Sequence, residues 1–161
     1  MADLVKFVLK EEGETESPKK EAIKFGDEFY LKSQDGRYFI KATYASTYRG
    51  SRYDFPLLGS SSQVKLKFQG GSGELSNQAT VQIVSTEAGL HHGNILGAWR
   101  DSHNCYYWSS YNQQMQGWQI TKVDGGDSSI HYGDKVYFTN LHFTNQRLVP
   151  DTRFPDRKSV V

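Results

Sequence analysis

Apolar and polar residues alternate along much of this chain, with the period of a strand and not of a helix. Phe29 and Leu31 stand against Glu28 and Lys32; Val64, Leu66 and Phe68 against Lys65 and Lys67. Val81 and Ile83 flank Gln82, and Val136 and Phe138 follow Lys135. A period of two puts every second side chain on one buried face. Turn-forming clusters separate the runs: Ser33-Gln34-Asp35-Gly36, Gly70-Gly71-Ser72-Gly73 and Asp124-Gly125-Gly126-Asp127. No stretch sustains a helical period. The pattern predicts an all-β protein of short, evenly spaced strands.

Three signatures recur in the same order. A short alternating strand runs into an acidic or glycine turn at residues 5–13, 81–89 and 118–126. An aromatic residue or His, then Gly, then Asp or Asn follows, as Phe25-Gly26-Asp27, His92-Gly93-Asn94 and Tyr132-Gly133-Asp134. Tyr38-Phe39-Ile40, Tyr106-Tyr107-Trp108 and Arg147-Leu148-Val149 come 12 to 14 residues after those glycines. Repeats that cannot bury a face alone must share one core, so the chain divides into units of about 4–80, 81–117 and 118–161. Within them, Phe29 to Lys32 turns into Arg37 to Ala42, and a long aromatic loop from Tyr44 to Ser62 leads to Val64 to Phe68. Ile95 to Trp99 turns into Tyr106 to Trp108, and Val136 to Phe138 into Leu148-Val149. Lys158 to Val161 supplies a last strand, for four strands per unit.

Twelve antiparallel strands in three equivalent units resemble a β-trefoil, in which six strands form a barrel and six hairpin strands cap one end. The order is rotated, because the chain opens on the strand that normally ends a unit. Gln116-Gly117-Trp118-Gln119-Ile120, followed by Asp124-Gly125-Gly126, is similar to the Gln-x-Trp signature of ricin-B-like lectin domains. That likeness is confined to one unit, since Val81 and Val5 hold the place of Trp118 elsewhere. A two-sheet sandwich would explain the alternation equally well but not the ordered recurrence.

Composition narrows the function. At 161 residues the chain is read as a single domain able to bury a core of its own. A net charge of +1 offers no electrostatic case for nucleic acid or an anionic membrane. The single cysteine, Cys105, cannot form an internal disulfide. Met1-Ala2-Asp3-Leu4 opens no basic and apolar leader, no segment approaches membrane-spanning length, and no Asn-x-Ser/Thr site occurs. The reading is a cytoplasmic protein without membrane insertion.

Catalytic motifs are missing: no phosphate loop, His-Glu-x-x-His, nucleophile elbow or Cys-x-x-Cys. His103 and Cys105 read as a turn residue and a small buried hydrophobe rather than a thiol–imidazole pair. His91 and His92 are adjacent, and successive strand residues face opposite ways, so no metal site is expected. Neither enzyme activity nor a cofactor is expected.

The second unit carries the densest recognition chemistry: Trp99, Asp101, His103, Asn104, Tyr106, Trp108, Tyr111 and Asn112. Aromatic faces pack on the C–H side of a pyranose, while Asp, Asn and His exchange hydrogen bonds with its hydroxyls. The lectin resemblance implies a shallow pocket here, with Asp101 and Asn104 as its polar residues and Trp108 or Tyr111 as its platform. Alternation turns Tyr107 inward, and Trp118 reads as core. The other units offer Asp35, Arg37 and Tyr48, and Asn140, His142 and Asn145. The expected function is non-catalytic binding of glycans or glycoproteins at up to three unequal sites, which together give avidity. The alternative is a protease inhibitor or protein-binding module acting through the Tyr44 to Ser62 loop, whose tyrosines and arginines also suit a homodimer contact.

Overall fold

The computed structural model describes residues 7–10, 21–46, 50–99, 105–126, 129–150 and 159–160. Twelve strands are present among them: β1 (Phe7–Lys10), β2 (Glu28–Lys32), β3 (Tyr38–Ser46), β4 (Arg52–Gly59), β5 (Leu66–Gln69) and β6 (Thr80–Ser85). Then follow β7 (Ile95–Ala98), β8 (Cys105–Trp108), β9 (Trp118–Lys122), β10 (Lys135–Asn140), β11 (Val149–Pro150) and β12 (Ser159–Val160). No described helix is long and apolar enough to cross a membrane.

The pairings are antiparallel and close on themselves as a barrel. One circuit runs β1-β10-β9-β6-β5-β2 and returns to β1; a second, of seven strands, runs β2-β3-β4-β8-β7-β6-β5 and returns to β2. Closure leaves few ladder edges open. Inside lie Phe29, Leu31, Leu66, Phe68, Val81, Ile83, Trp118, Ile120, Val136 and Phe138, each no more than 1% exposed. Phe68 packs between Phe29 and Phe138, with ring centroids 4.6 and 5.8 Å apart. The alternation read from the sequence is therefore the inward face of a ring of strands, and this burial drives its closure.

A three-way seam shuts one end. Ile23 donates its N–H to the Ile130 carbonyl, Ile130 to Leu75, and Leu75 back to Ile23, at 2.8 to 2.9 Å. All three side chains are fully buried. Each is followed by the same tight turn, closed from Asp27 to Lys24, Ala79 to Ser76 and Asp134 to His131. The turn needs a positive φ at its third residue, taken by Gly26 (92°), Gln78 (71°) and Gly133 (91°). Asp27 and Asp134 also accept the N–H three residues back.

This corrects the assigned repeat. The second member of the Gly-Asp trio is Asn77-Gln78-Ala79, not His92-Gly93-Asn94. The third signature shifts as well: Ser33, Ser85 and Asn140 donate their N–H groups to the carbonyls of Arg37, Asn94 and Gln146 in the same way. The counterpart of Tyr38-Phe39-Ile40 and Arg147-Leu148-Val149 is thus Ile95-Leu96-Gly97, and Tyr106-Tyr107-Trp108 sits one strand later. Phe39, Leu96 and Leu148 are matched in burial at 0 to 1% exposed.

The expected Tyr44 to Ser62 loop is mostly a hairpin, with β3 reaching Ser46 and β4 spanning Arg52–Gly59. A composition of Tyr, Phe and Leu around one proline disguises it. The ladder slips between Ile40 and Thr43, so Lys41 and Ala42 together oppose Pro56. Proline cannot donate to a ladder and is tolerated at such a bulge. The N–H of Ala42 is taken instead by Glu87 Oε1 at 3.0 Å.

Burial pushes the Glu87 carboxyl above its usual value of 4.5; the Ala42 N–H and Lys41 oppose this, and Asp54 adds to it. A carboxyl raised by folding contributes stability that is complete below pH 4.5 and fades as pH rises through the folded value. Glu87→Gln keeps the acceptor without the charge. Its urea midpoint is expected to gain on the wild type as pH is raised from 4 towards 8; a constant difference would remove Glu87 as the titrating group.

Candidate aromatic recognition face

Two hairpins meet edge to edge where Asp54 of β4 pairs with Tyr107 of β8. Asp54 and Tyr107 turn inward, 3% and 2% exposed. Burial, with Glu87 adding to it, holds the Tyr107 hydroxyl far above the ordinary phenol range, and its side chain bonds Ser85. The alternate positions, Tyr53 on one strand and Tyr106 and Trp108 on the other, share the opposite face.

Their rings form a ladder. Tyr106 lies between Tyr53 (4.1 Å, 9°) and Trp99 (5.1 Å, 15°), so both its faces are covered. Trp108 meets Tyr53 edge-on at 5.5 Å and His92 at 4.6 Å. His92 reaches the indole because Gly93 (φ 129°) lies directly against the Trp108–Ser109 backbone. Beyond it, His91 stacks on Tyr44 at 3.6 Å, with the Arg52 guanidinium over the Tyr44 ring at 4.6 Å. Stacked rings of this kind add about 0.5–1.5 kcal/mol each beyond their buried area.

At the other end of the ladder stands Tyr111, 76% exposed, its ring 6.4 Å from Trp99. A rigid turn holds it. Gln116, 1% exposed, accepts the N–H groups of Tyr111 and Asn112 on Oε1 and donates to the Ser109 carbonyl. Asn112 Oδ1 accepts from Gln114 and Met115. The Gln of the Gln-x-Trp segment is thus a buried staple for the loop that carries an exposed tyrosine. Trp118 is fully buried and donates its indole N–H to the Leu96 carbonyl at 3.1 Å.

The expected contact residues separate accordingly. Tyr106, Trp108 and Tyr111 share this face. Trp99 is there too, but it is 7% exposed and its indole N–H is committed to the Tyr106 carbonyl at 3.1 Å. Asn112 is spent on its own turn. Asp35 and Arg37 form an ion pair at 2.9 Å across their turn. Burial works to raise the Asp35 carboxyl, but bonds from Arg37 and Ser33 outweigh it and leave it below the usual value. Asn140 is fully buried, donating to the Met115 carbonyl and accepting from His142 and Phe143, so a contact with ligand is ruled out for its side chain. His142 packs edge-on against Phe143 at 4.6 Å and Asn145 is exposed, both outside the ladder. Tyr48, Asp101, His103 and Asn104 lie outside the described residues.

Tyr44 and Tyr53, expected only as part of the alternative Tyr44 to Ser62 loop, share this face with His91 and His92, and Asp54 lies buried behind it. The strand argument for opposed histidines fails because 91–92 lie in a turn, with both rings near Tyr44, at 3.6 and 6.1 Å. Among the described residues no three His, Cys, Asp or Glu side chains form a metal-binding group. A separate groove of about 520 Å³ is lined by Glu21, Lys24, Asp27, Glu28, Lys65 and Tyr132. Its charges are of both signs and Tyr132 is 5% exposed, so it lacks the open ring surface of the aromatic face. No family model, curated protein or solved structure matches the chain.

Proposed function

We propose that this chain is a non-catalytic carbohydrate-binding protein of β-trefoil architecture. The six-strand circuit, the strand pairs β3–β4, β7–β8 and β11–β12, and the Ile23–Leu75–Ile130 seam support the trefoil. On that reading the units run β2 to β5, β6 to β9, and β10 to β12 completed by β1. A fold by itself names no ligand, so the function rests on the face built upon it.

The observation that carries the reading is the aromatic ladder itself. Tyr111 is 76% exposed at one end, on a backbone held by the buried Gln116 amide, and half-buried Trp108 and His92 lie towards the other. Rings exposed along an aromatic ladder form a platform for the apolar side of a sugar, and the imidazoles beside Trp108 supply hydroxyl partners. Trp99 and Tyr106 act as the backing of that platform, since their faces are used up within the protein. A rival inhibitory or protein-binding use of Tyr44 to Ser62 would act through the β3–β4 hairpin and not through an open loop, because residues 52–59 form β4.

Titration of a glycan panel against the wild type and the variants Trp108→Ala and Tyr111→Ala tests the reading. Each variant is expected to bind about tenfold more weakly, the equivalent of about 1.4 kcal/mol. Unaltered affinity in both would remove this face as the binding surface.

A further inference from the structure

A half-exposed imidazole ordinarily moves among rotamers, yet His91 is held from three directions. Its backbone N–H donates to Asp54 Oδ2 at 2.6 Å, its Nδ1 lies 3.0 Å from Oδ1, and its ring stacks on Tyr44 at 13°. Arg52 covers the Tyr44 ring and donates to the Tyr44 carbonyl at 3.1 Å. The His91 side chain is still 48% exposed, while that of Asp54 is 4% exposed.

A carboxylate only accepts, so in the neutral ring the hydrogen sits on Nδ1 and Nε2 carries a lone pair. Nε2 points away from the buried carboxylate. Anchoring this turn to β4 would require nothing more than the backbone bond, which any residue at 91 could make. The second bond and the stack act on the ring alone, and what they fix is the direction and tautomer of Nε2. Such support behind an interacting group is how a binding site is pre-organised.

We propose that His91 Nε2 is the acceptor for one hydroxyl of the bound saccharide, and that Asp54 is its positioning residue. The inference rests on the carbohydrate reading above and narrows it. His92 bridges the acceptor and the indole, its ring 6.4 Å from that of His91 and 4.6 Å from that of Trp108. A neutral pyranoside, or a disaccharide of such rings, would lie along this strip with its C–H face to the aromatics and one hydroxyl donating to His91.

The test uses methyl glycosides of galactose, glucose, mannose and N-acetylglucosamine, with their monodeoxy derivatives, titrated by tryptophan fluorescence and backbone amide spectra. His91→Phe retains the backbone bond and the stack on Tyr44 but deletes Nε2. It is expected to weaken the best glycoside about tenfold. One monodeoxy derivative should bind the wild type about tenfold less tightly than its parent, yet bind His91→Phe as tightly as the parent does. Asp54→Asn, which can present an amide donor to Nδ1 and reverse the tautomer, should lose the same discrimination. His91→Gln supplies the comparison if the phenylalanine variant does not fold. Glycoside binding that weakens in Trp108→Ala but keeps its full deoxy discrimination in the His91 variant overturns the acceptor and leaves the carbohydrate reading standing. Absence of binding by the wild type to every glycoside overturns both.

Discussion

Gly93→Ala is expected to leave little folded protein. A Cβ at this position would lie 2.2 Å from the Ser109 nitrogen and 2.4 Å from the Trp108 carbonyl carbon. Both are backbone atoms at the end of β8, which is paired with β7 and β4, so neither can yield cheaply. The φ of 129° adds strain for any L side chain. Strain and overpacking each cost about 1–3 kcal/mol, a large part of the roughly 5–15 kcal/mol that holds an ordinary domain. Gly89→Ala is the control, with a φ of 86° but nothing within 4 Å of the added carbon. It should cost about 1–2 kcal/mol, the left-handed strain alone. Urea unfolding followed by tryptophan fluorescence measures both, and equal midpoints for the two variants would show that contact with β8 is not what limits residue 93.

Trp118→Ala should cost about 3–5 kcal/mol, the range for emptying a large aromatic site in a packed core. The ring is fully buried in β9, between β6 and β10, and its removal also strands the Leu96 carbonyl. Trp118→Phe isolates the second effect: it keeps most of the packing and should cost about 1–3 kcal/mol. If alanine proves no worse than phenylalanine in chemical denaturation, the core has collapsed around the gap and the Leu96 bond sets the cost.

Legibility in the sequence followed the physics of each feature. Strands were readable wherever one face is buried, because Phe29, Leu31, Leu66, Phe68, Val136 and Phe138 alternate without exception. Recurrence was readable at Lys24 to Asp27 and His131 to Asp134, whose turns take glycine in the left-handed region. It was lost at Ser76 to Ala79 because Gln78 adopts the same conformation without the expected residue, and the nearby His92-Gly93-Asn94 offered a better match by letter. The β3–β4 hairpin was hidden for a related reason. Its two-residue bulge opposite Pro56 breaks the alternation just where a strand would have been recognised. At the recognition face, Trp108 and Tyr111 stand out by composition alone. Asp54 and His91 do not, since pairing a carboxylate with an imidazole 37 positions away requires the contact of β4 with the turn before β7.

The two carboxylates that fasten this turn have a mechanical consequence. Asp54 grips it from β4 and Glu87 grips β3 from it, so both strands of the β3–β4 hairpin are fastened to the one segment that leads into β7. Loss of either carboxylate would therefore loosen one strand of that hairpin while the other stays fastened, and loss of both would free the two strands from these bonds at once.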